Sequence, residues 1–229
     1  MNSTLYYPLN ELFETLQGEG VFTGVPAIFV RLQGCPVGCS WCDTQHTWAL
    51  NLGDEVADVA TIVAKTAADS RYCRLSAAAL LAECQERGYR ARHLVITGGE
   101  PCMHDLRPLS TLFADAGFQV QLETSGTFEV NIDERAWVTL SPKVNMAGGY
   151  QVLLSALERA NEIKHPVARE AHIAELDALL AQLADGGASK QICLQPISQQ
   201  ARATELAIRT CIARNWRLSA QLHKYLAIP

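Results

Sequence analysis

The sequence predicts an α/β protein, an incomplete (β/α) barrel of about six βα units in a single domain over residues 1–229. Three observations carry that prediction. Apolar runs with strand character alternate with helical patterns, as parallel βαβ units do. Polar or glycine-rich groups follow strand after strand, always at the C-terminal end, where the loops of parallel α/β folds converge. The 229 residues suffice for one well-buried domain but fall short of the about 250 typical of a full eight-unit barrel. No internal repeat, low-complexity run or linker divides the chain.

The first predicted strand, residues 27–33 (AIFVRLQ), is rich in Ile, Phe and Val and runs directly into a cysteine loop. Residues 54–68 and 76–87 read as helices, the second with Ser76 as N-cap and Gly88 as its stop, and residues 69–75 between them read as irregular. A strand at 93–97 leads into Gly98-Gly99-Glu100-Pro101, and a helix over 105–116 ends at Gly117. Strand 118–123 ends in Glu123-Thr124-Ser125-Gly126, and strand 137–140 in Ser141-Pro142-Lys143. Helix 151–160, strand 162–167 and helix 168–184 follow, then strand 191–195 ending at Pro196, helix 199–214 and a closing strand over 217–223. Cysteines, Gly-Gly-Glu-Pro, Glu-Thr-Ser, Ser-Pro-Lys and Gln-Pro are therefore expected to face one cavity, with room for two sizeable ligands.

A hydrophobic share of 48% against 19% charged residues is that of a globular protein rather than a disordered one. The net charge of −5 argues against a broad phosphate-binding surface, so nucleic acid is not expected as a direct partner. The first twenty residues lack a basic start followed by an apolar run, and no stretch approaches the roughly 18 apolar residues of a membrane span. Cys73, Cys84, Cys102, Cys193 and Cys211 show no pairing pattern. With no export signal they read as packed thiols or solvent-facing bystanders in a reducing cytoplasm.

The chemistry centres on Cys35-Pro36-Val37-Gly38-Cys39-Ser40-Trp41-Cys42-Asp43-Thr44. Three thiolates this close can hold three irons of a cubic 4Fe–4S cluster, which normally takes four. One iron then stays open to a substrate or cofactor. A zinc site closed by His46 is the alternative, although structural zinc ligands tend to come in separated pairs. A disulfide would leave one cysteine over.

A Cys-x3-Cys-x2-Cys loop after the first strand, with Gly-Gly-Glu-Pro after the second, resembles the radical S-adenosylmethionine enzymes. That resemblance implies a modified radical SAM core, with the methionine amine and carboxylate of the cofactor on the open iron and one-electron cleavage to a 5′-deoxyadenosyl radical. Gly99 and Glu100, Glu123 (for ribose hydroxyls), Ser141, Pro142, Lys143 and Gln195 would contact the cofactor.

A narrower resemblance covers nearly the whole chain. Glu14-Thr15-Leu16-Gln17-Gly18-Glu19-Gly20, the cysteine run through Asp43-Thr44, Thr97 to Pro101, Glu123 to Gly126, Ser141-Pro142-Lys143, Leu194-Gln195-Pro196 and the C-terminal Gln221 to Pro229 are similar to the 7-carboxy-7-deazaguanine synthase family. It implies conversion of 6-carboxy-5,6,7,8-tetrahydropterin into 7-carboxy-7-deazaguanine with loss of ammonia, a homodimer, a magnesium ion and an electron donor such as flavodoxin. Some members carry a long insertion between the first two cluster cysteines; this chain has the compact spacing.

Carried over residue by residue, Leu16, Gln17, Gly18, Glu19, Arg31, Thr97, His223 and Pro229 would bind substrate, and Thr44 would touch magnesium. Glu19 and Gln17 suit an amide–amidine edge, since a carboxylate accepts from two N–H groups at once. Arg31 interrupts an apolar strand; a buried cation needs a partner, either the substrate carboxylate or an internal salt bridge. A glycyl-radical activase would share the cluster but lack this pterin clamp. A cluster-binding module without catalysis would not cleave S-adenosylmethionine.

Overall fold

The computed structural model describes residues 4–228. Nine strands make one sheet: β1 (Tyr6–Leu16), β2 (Pro26–Leu32), β3 (Cys73–Ser76), β4 (His93–Gly98), β5 (Gln119–Thr124), β6 (Trp137–Leu140), β7 (Glu162–Val167), β8 (Gln191–Pro196) and β9 (Arg217–Leu218). Their order across the sheet is β3-β1-β2-β4-β5-β6-β7-β8-β9. From β2 to β9 every neighbouring pair is parallel, while β1 runs antiparallel to both β2 and β3. The end strands β3 and β9 do not pair with each other, so the barrel is open.

Among the described residues seven α-helices accompany the strands: α1 (Val59–Val63), α2 (Ala77–Glu86), α3 (Arg107–Asp115), α4 (Leu154–Arg159), α5 (Glu170–Leu180), α6 (Ala201–Arg214) and α7 (Leu222–Leu226). The period-two alternation of the parallel strands separates two environments. Leu94 and Ile96, Val120 and Leu122, Val138 and Leu140, Ile163 and Val167, and Ile192 and Leu194 join the apolar core with Leu80, Leu109, Phe113, Leu176 and Leu206 of the helices. Each such side chain contributes roughly 1.5–3 kcal/mol when fully buried. The opposite parity carries Thr97, Gln121 and Glu123, Thr139 and Ser141, Glu162 and Lys164, and Gln195. That polar face lies inside the open barrel and leads to its C-terminal rim.

Most predicted elements fall within a few residues of those observed, and Ser76 does cap α2, its Oγ accepting from Ala79 N at 3.2 Å. Four departures have physical causes. The eleven-residue β1 escaped prediction because Pro8 and Asn10 break its pattern. A bulge between Leu9 and Glu11 shifts the register at Asn10, and a bulge is where a strand tolerates such a residue.

The helix expected over 54–68 shrinks to Val59–Val63, since Lys65 Nζ donates to the carbonyls of Asn10, Asp69 and Arg71 and draws the chain away from a helical path. Part of the irregular 69–75 segment is β3, which pairs with β1. The closing strand is only Arg217–Leu218, and His223 sits on α7.

Candidate active site

At the C-terminal rim the end of β4 interlocks with the start of the cysteine loop. Gly99 N donates to Leu32 O at 2.8 Å and Glu100 N to Gly34 O at 2.7 Å. Gly98 has φ +113°, and a Cβ on it would overlap the Leu32 backbone, while one on Gly99 would overlap Gly34 O. Only glycine allows this approach. The two glycines thus admit the backbone of the cysteine loop.

Glu100 is 1% exposed. One of its oxygens accepts from Cys102 N (3.0 Å) and Thr124 Oγ1 (2.7 Å), the other from Ser125 N (2.8 Å) and Ser125 Oγ. The carboxylate thus staples the Gly-Gly-Glu-Pro turn to the end of β5. Burial without these donors would be costly.

The loop that follows β2 carries Cys35, Cys39 and Cys42 into one cavity of about 320 Å³, a volume suited to small-molecule ligands. Its ends are tied by Gly34 N to Thr47 O (2.7 Å) and Cys35 N to Trp48 O (2.9 Å), and Trp48 Nε1 donates to Cys42 Sγ at 3.4 Å. Beneath it, Gln33 Nε2 donates to His46 O and Ala49 O.

Burial pushes the Cys35 thiol up to about 11 and raises that of Cys39, so metal coordination must draw these protons off. All eight cysteines are free thiols. Among the described residues no three His, Cys, Asp or Glu side chains converge to hold a single ion. His46 Nε2 turns instead toward Glu11 Oε1 at 3.5 Å, which removes the ligand that zinc would have needed. Three thiols spread around one cavity fit a cube, where each cysteine takes its own iron.

Across the cavity a buried lysine joins two carboxylates. Lys164 Nζ on β7 lies 2.6 Å from Glu19 Oε2 and 2.8 Å from Glu123 Oε2, and its side chain is 6% exposed. Burial raises the Glu19 carboxyl, but the Lys164 charge and hydrogen bond, with the Gln221 hydrogen bond, outweigh it and hold Glu19 down at about 2. Burial, with the nearby charges of Glu19 and Glu162, lifts Glu123 to about 7 against the pull of the same lysine. Glu19 has the better partners: its Oε1 also accepts from Gln221 Nε2 (2.9 Å) and Gln195 Nε2 (3.4 Å).

Nearly all the residues singled out in the sequence line this cavity: Leu16, Gln17, Gly18, Glu19, Arg31, Thr44, Thr97, Gly99, Glu100, Glu123, Ser141, Lys143, Gln195, His223 and the three cysteines. Gln17 Nε2 donates to Gln121 Oε1 at 3.1 Å. Arg31 lines the cavity, and its Nε bonds Glu11 Oε2 at 2.5 Å, the internal salt bridge of its two sequence readings. Lys143 Nζ donates to Ser141 Oγ at 2.6 Å. His223 packs against Gly18, whose O accepts from Leu222 N at 2.8 Å.

Two residues are not brought in. Pro142 lines an adjoining cavity of about 20 Å³ with Trp41 and His165, and Pro229 lies outside the described residues. Lys164, Gln221, Gln121 and Glu11 were missed. Lys164 carried a usable signal, a cation inside the strand run Glu-Ile-Lys-His-Pro-Val, the same feature that marked Arg31.

No protein-family model matches the chain. It is 60% identical over 224 residues to the 7-carboxy-7-deazaguanine synthase of Escherichia coli strain K12, covering 98% of this chain and all of that one. It is 41% identical to that of Buchnera aphidicola subsp. Schizaphis graminum over 98% of this chain and all of the relative. Its fold superposes on the crystal structure of QueE from Escherichia coli with a TM-score of 0.92, covering 95% of each chain at 60% identity.

Proposed function

The chain belongs to the 7-carboxy-7-deazaguanine synthase family, and on that premise we propose how its cavity divides the work. The reaction is that of a radical S-adenosylmethionine lyase: 6-carboxy-5,6,7,8-tetrahydropterin becomes 7-carboxy-7-deazaguanine with loss of ammonia, a step toward queuosine and other 7-deazapurines. The bound cluster and cofactor supply the one-electron chemistry that starts the ring contraction.

Cys35, Cys39 and Cys42 would hold the iron–sulfur cluster, with the cofactor bound beside it. Gly99, Ser141, Lys143 and Gln195 cradle the cofactor, Glu123 accepts from its ribose hydroxyls, and Pro142 shapes the strand end from behind. Glu100 fixes the turn on which the cofactor rests. On the other side Gln17 and Glu19 accept and donate along the amide–amidine edge of the pterin, with Leu16, Gly18, Thr97 and His223 closing around it. Glu11 engages the Nε of Arg31, which leaves the two Nη groups to fork a carboxylate. The protein's own contribution is orientation, holding the reacting carbon against the adenosyl group.

Magnesium would take the Thr44 hydroxyl, substrate oxygens and waters; the presence of Thr44 in the same cavity supports this. A homodimer, a one-electron donor of the flavodoxin type reaching the cluster past the exposed Trp41, and a cytoplasmic location complete the proposal. Among the described residues no helix is long and apolar enough to cross a membrane, and the free cysteines support a reducing compartment. Residues 1–229 are read as one catalytic domain, supported by the single continuous sheet.

The observation that carries this reading is the convergence of three cysteines, the glycine turn and the Glu19 and Glu123 carboxylates on one cavity. The test is an anaerobic incubation of reconstituted protein with the pterin, S-adenosylmethionine, magnesium and a reductant, with products followed by mass. 7-Carboxy-7-deazaguanine is the expected product. Formation of 5′-deoxyadenosine without it would overturn the substrate assignment and leave the cofactor assignment standing.

A further inference from the structure

We propose that Lys164 is a positioning residue that couples the two halves of the cavity. Its ammonium is the shared counter-ion of Glu19 on the pterin side and Glu123 on the cofactor side, so the two ligands bind cooperatively. The inference rests on the assignment of those two carboxylates made above and goes one step beyond it.

The geometry has two parts. Both short contacts of Nζ go to Oε2 atoms, 2.6 Å from Glu19 and 2.8 Å from Glu123. Each carboxylate's other oxygen is engaged elsewhere: Glu19 Oε1 by Gln221 and Gln195, Glu123 Oε1 by Gln121 Nε2 at 3.1 Å. A ligand that donates to either carboxylate therefore competes with, or relieves, the same ammonium.

Other charges face this group. Glu162 stands two residues earlier on β7, Lys143 follows β6, and His223 faces Glu19 from α7. Burial works against the Lys164 charge, but Glu123, Glu19 and Glu162 outweigh it and keep the proton on. Lys164 therefore acts through its charge and does not serve as a proton donor. Pterin N–H groups on Glu19 supply part of the positive potential that Lys164 otherwise provides there. The ammonium is then freer to stabilise Glu123 as a carboxylate, the form that accepts both ribose hydroxyls. By linkage the cofactor must help the pterin by the same factor.

The test measures binding rather than turnover. Cluster-reconstituted wild type, Lys164→Met and Lys164→Arg are titrated anaerobically with S-adenosylmethionine, with and without 6-carboxypterin, whose aromatic ring has no C6 hydrogen to abstract. In the wild type the pterin should tighten cofactor binding about tenfold, within the usual range of such couplings, and the reverse titration should give the same factor. Lys164→Met should bind each ligand more weakly with a factor near one, and Lys164→Arg should restore it.

Loss of a packing role alone would weaken both affinities and leave the factor intact. A wild-type factor in Lys164→Met, or a factor of one in the wild type, overturns the proposal. Should Lys164→Met fail to fold by circular dichroism, Glu123→Gln cuts the other end of the bridge, and persistence of the wild-type factor there is equally fatal. Wild-type protein that binds S-adenosylmethionine but no pterin would overturn the pterin assignment of Glu19 and this inference with it.

Discussion

Glu100→Gln separates two roles that the sequence cannot, contact with the cofactor and support of the turn. In the structure each oxygen of Glu100 faces one backbone N–H, that of Cys102 at 3.0 Å or that of Ser125 at 2.8 Å, and one hydroxyl, of Thr124 or Ser125. The hydroxyls can rotate to accept from an amide, but the backbone groups cannot. A glutamine placed either way round therefore sets its NH2 against a buried N–H. One buried donor without an acceptor costs about 1–3 kcal/mol, and the lost charge assistance adds to that.

We expect a net loss of about 2–3 kcal/mol in the protein without cluster or cofactor. For a chain of this size that lowers Tm by about 4–12 °C. The assay is a thermal melt of the apo-protein, wild type against variant, followed by circular dichroism. A cofactor-contact role alone predicts an unchanged or higher apo Tm, because a buried charge held only for a ligand destabilises the empty protein. An unaltered melt would refute the staple.

Three further outcomes follow from the same geometry. Cys39→Ala should leave reconstituted protein without stoichiometric iron and sulfide, measured chemically, and a fully loaded, active variant would undo the cluster assignment. In Gly18→Ala the new Cβ would stand 2.5 Å from His223 Nδ1 and 3.0 Å from His223 N; displacing α7 should raise the pterin Kd about tenfold, roughly 1.4 kcal/mol, and an unchanged Kd by calorimetry would count against the His223 contact. The third concerns pH. Glu123, raised to about 7 from 4.5, retains a proton in the fold that the unfolded chain has lost, so its ionisation erodes stability as pH climbs from about 4.5 to 7. Glu19, held at about 2, works in the opposite sense and its contribution is lost as pH falls below 4.5. Glu123→Gln should therefore gain about 2–3 kcal/mol on the wild type between pH 5 and pH 8, read from urea unfolding at both values; parallel profiles would refute the raised carboxyl.

The legible part of the fold was the part with one job per residue. In the parallel strands alternate side chains enter the apolar core, and β6 and β7 were bounded correctly for that reason. The antiparallel β1 was not legible because its stability depends on partners remote in sequence. Asn10, wholly buried in the bulged strand, bonds Gln33 Oε1 and the carbonyls of Asp69 and Arg71. A polar residue with such partners looks in sequence like a turn. The same contacts hold Lys65 against that strand and end α1 early. Local propensity was overruled there by hydrogen bonds that span some sixty positions.

The site divides in the same way. Cysteine spacing and glycine pairs are local signals, and they led to Cys35, Cys39, Cys42 and the β4 turn. Charge complementarity across the barrel is not local: Glu19 meets Lys164 across 145 positions and Gln221 across 202. Yet the strand that supplies Lys164 obeys a rule visible beforehand. In β7, Glu162, Lys164 and Pro166 share one parity and Ile163, His165 and Val167 the other. Two ionisable groups on one face of an otherwise buried strand require partners of opposite charge or a polar ligand. Applied evenly, the reasoning that singled out Arg31 selects Lys164 as well, and Glu123, placed by the strand order on the same inner face, is an acid already assigned to the cavity. Sequence alone thus contained the lysine; what it lacked was the sheet order that sets β7 opposite the Gln17–Gly20 loop and close to β5.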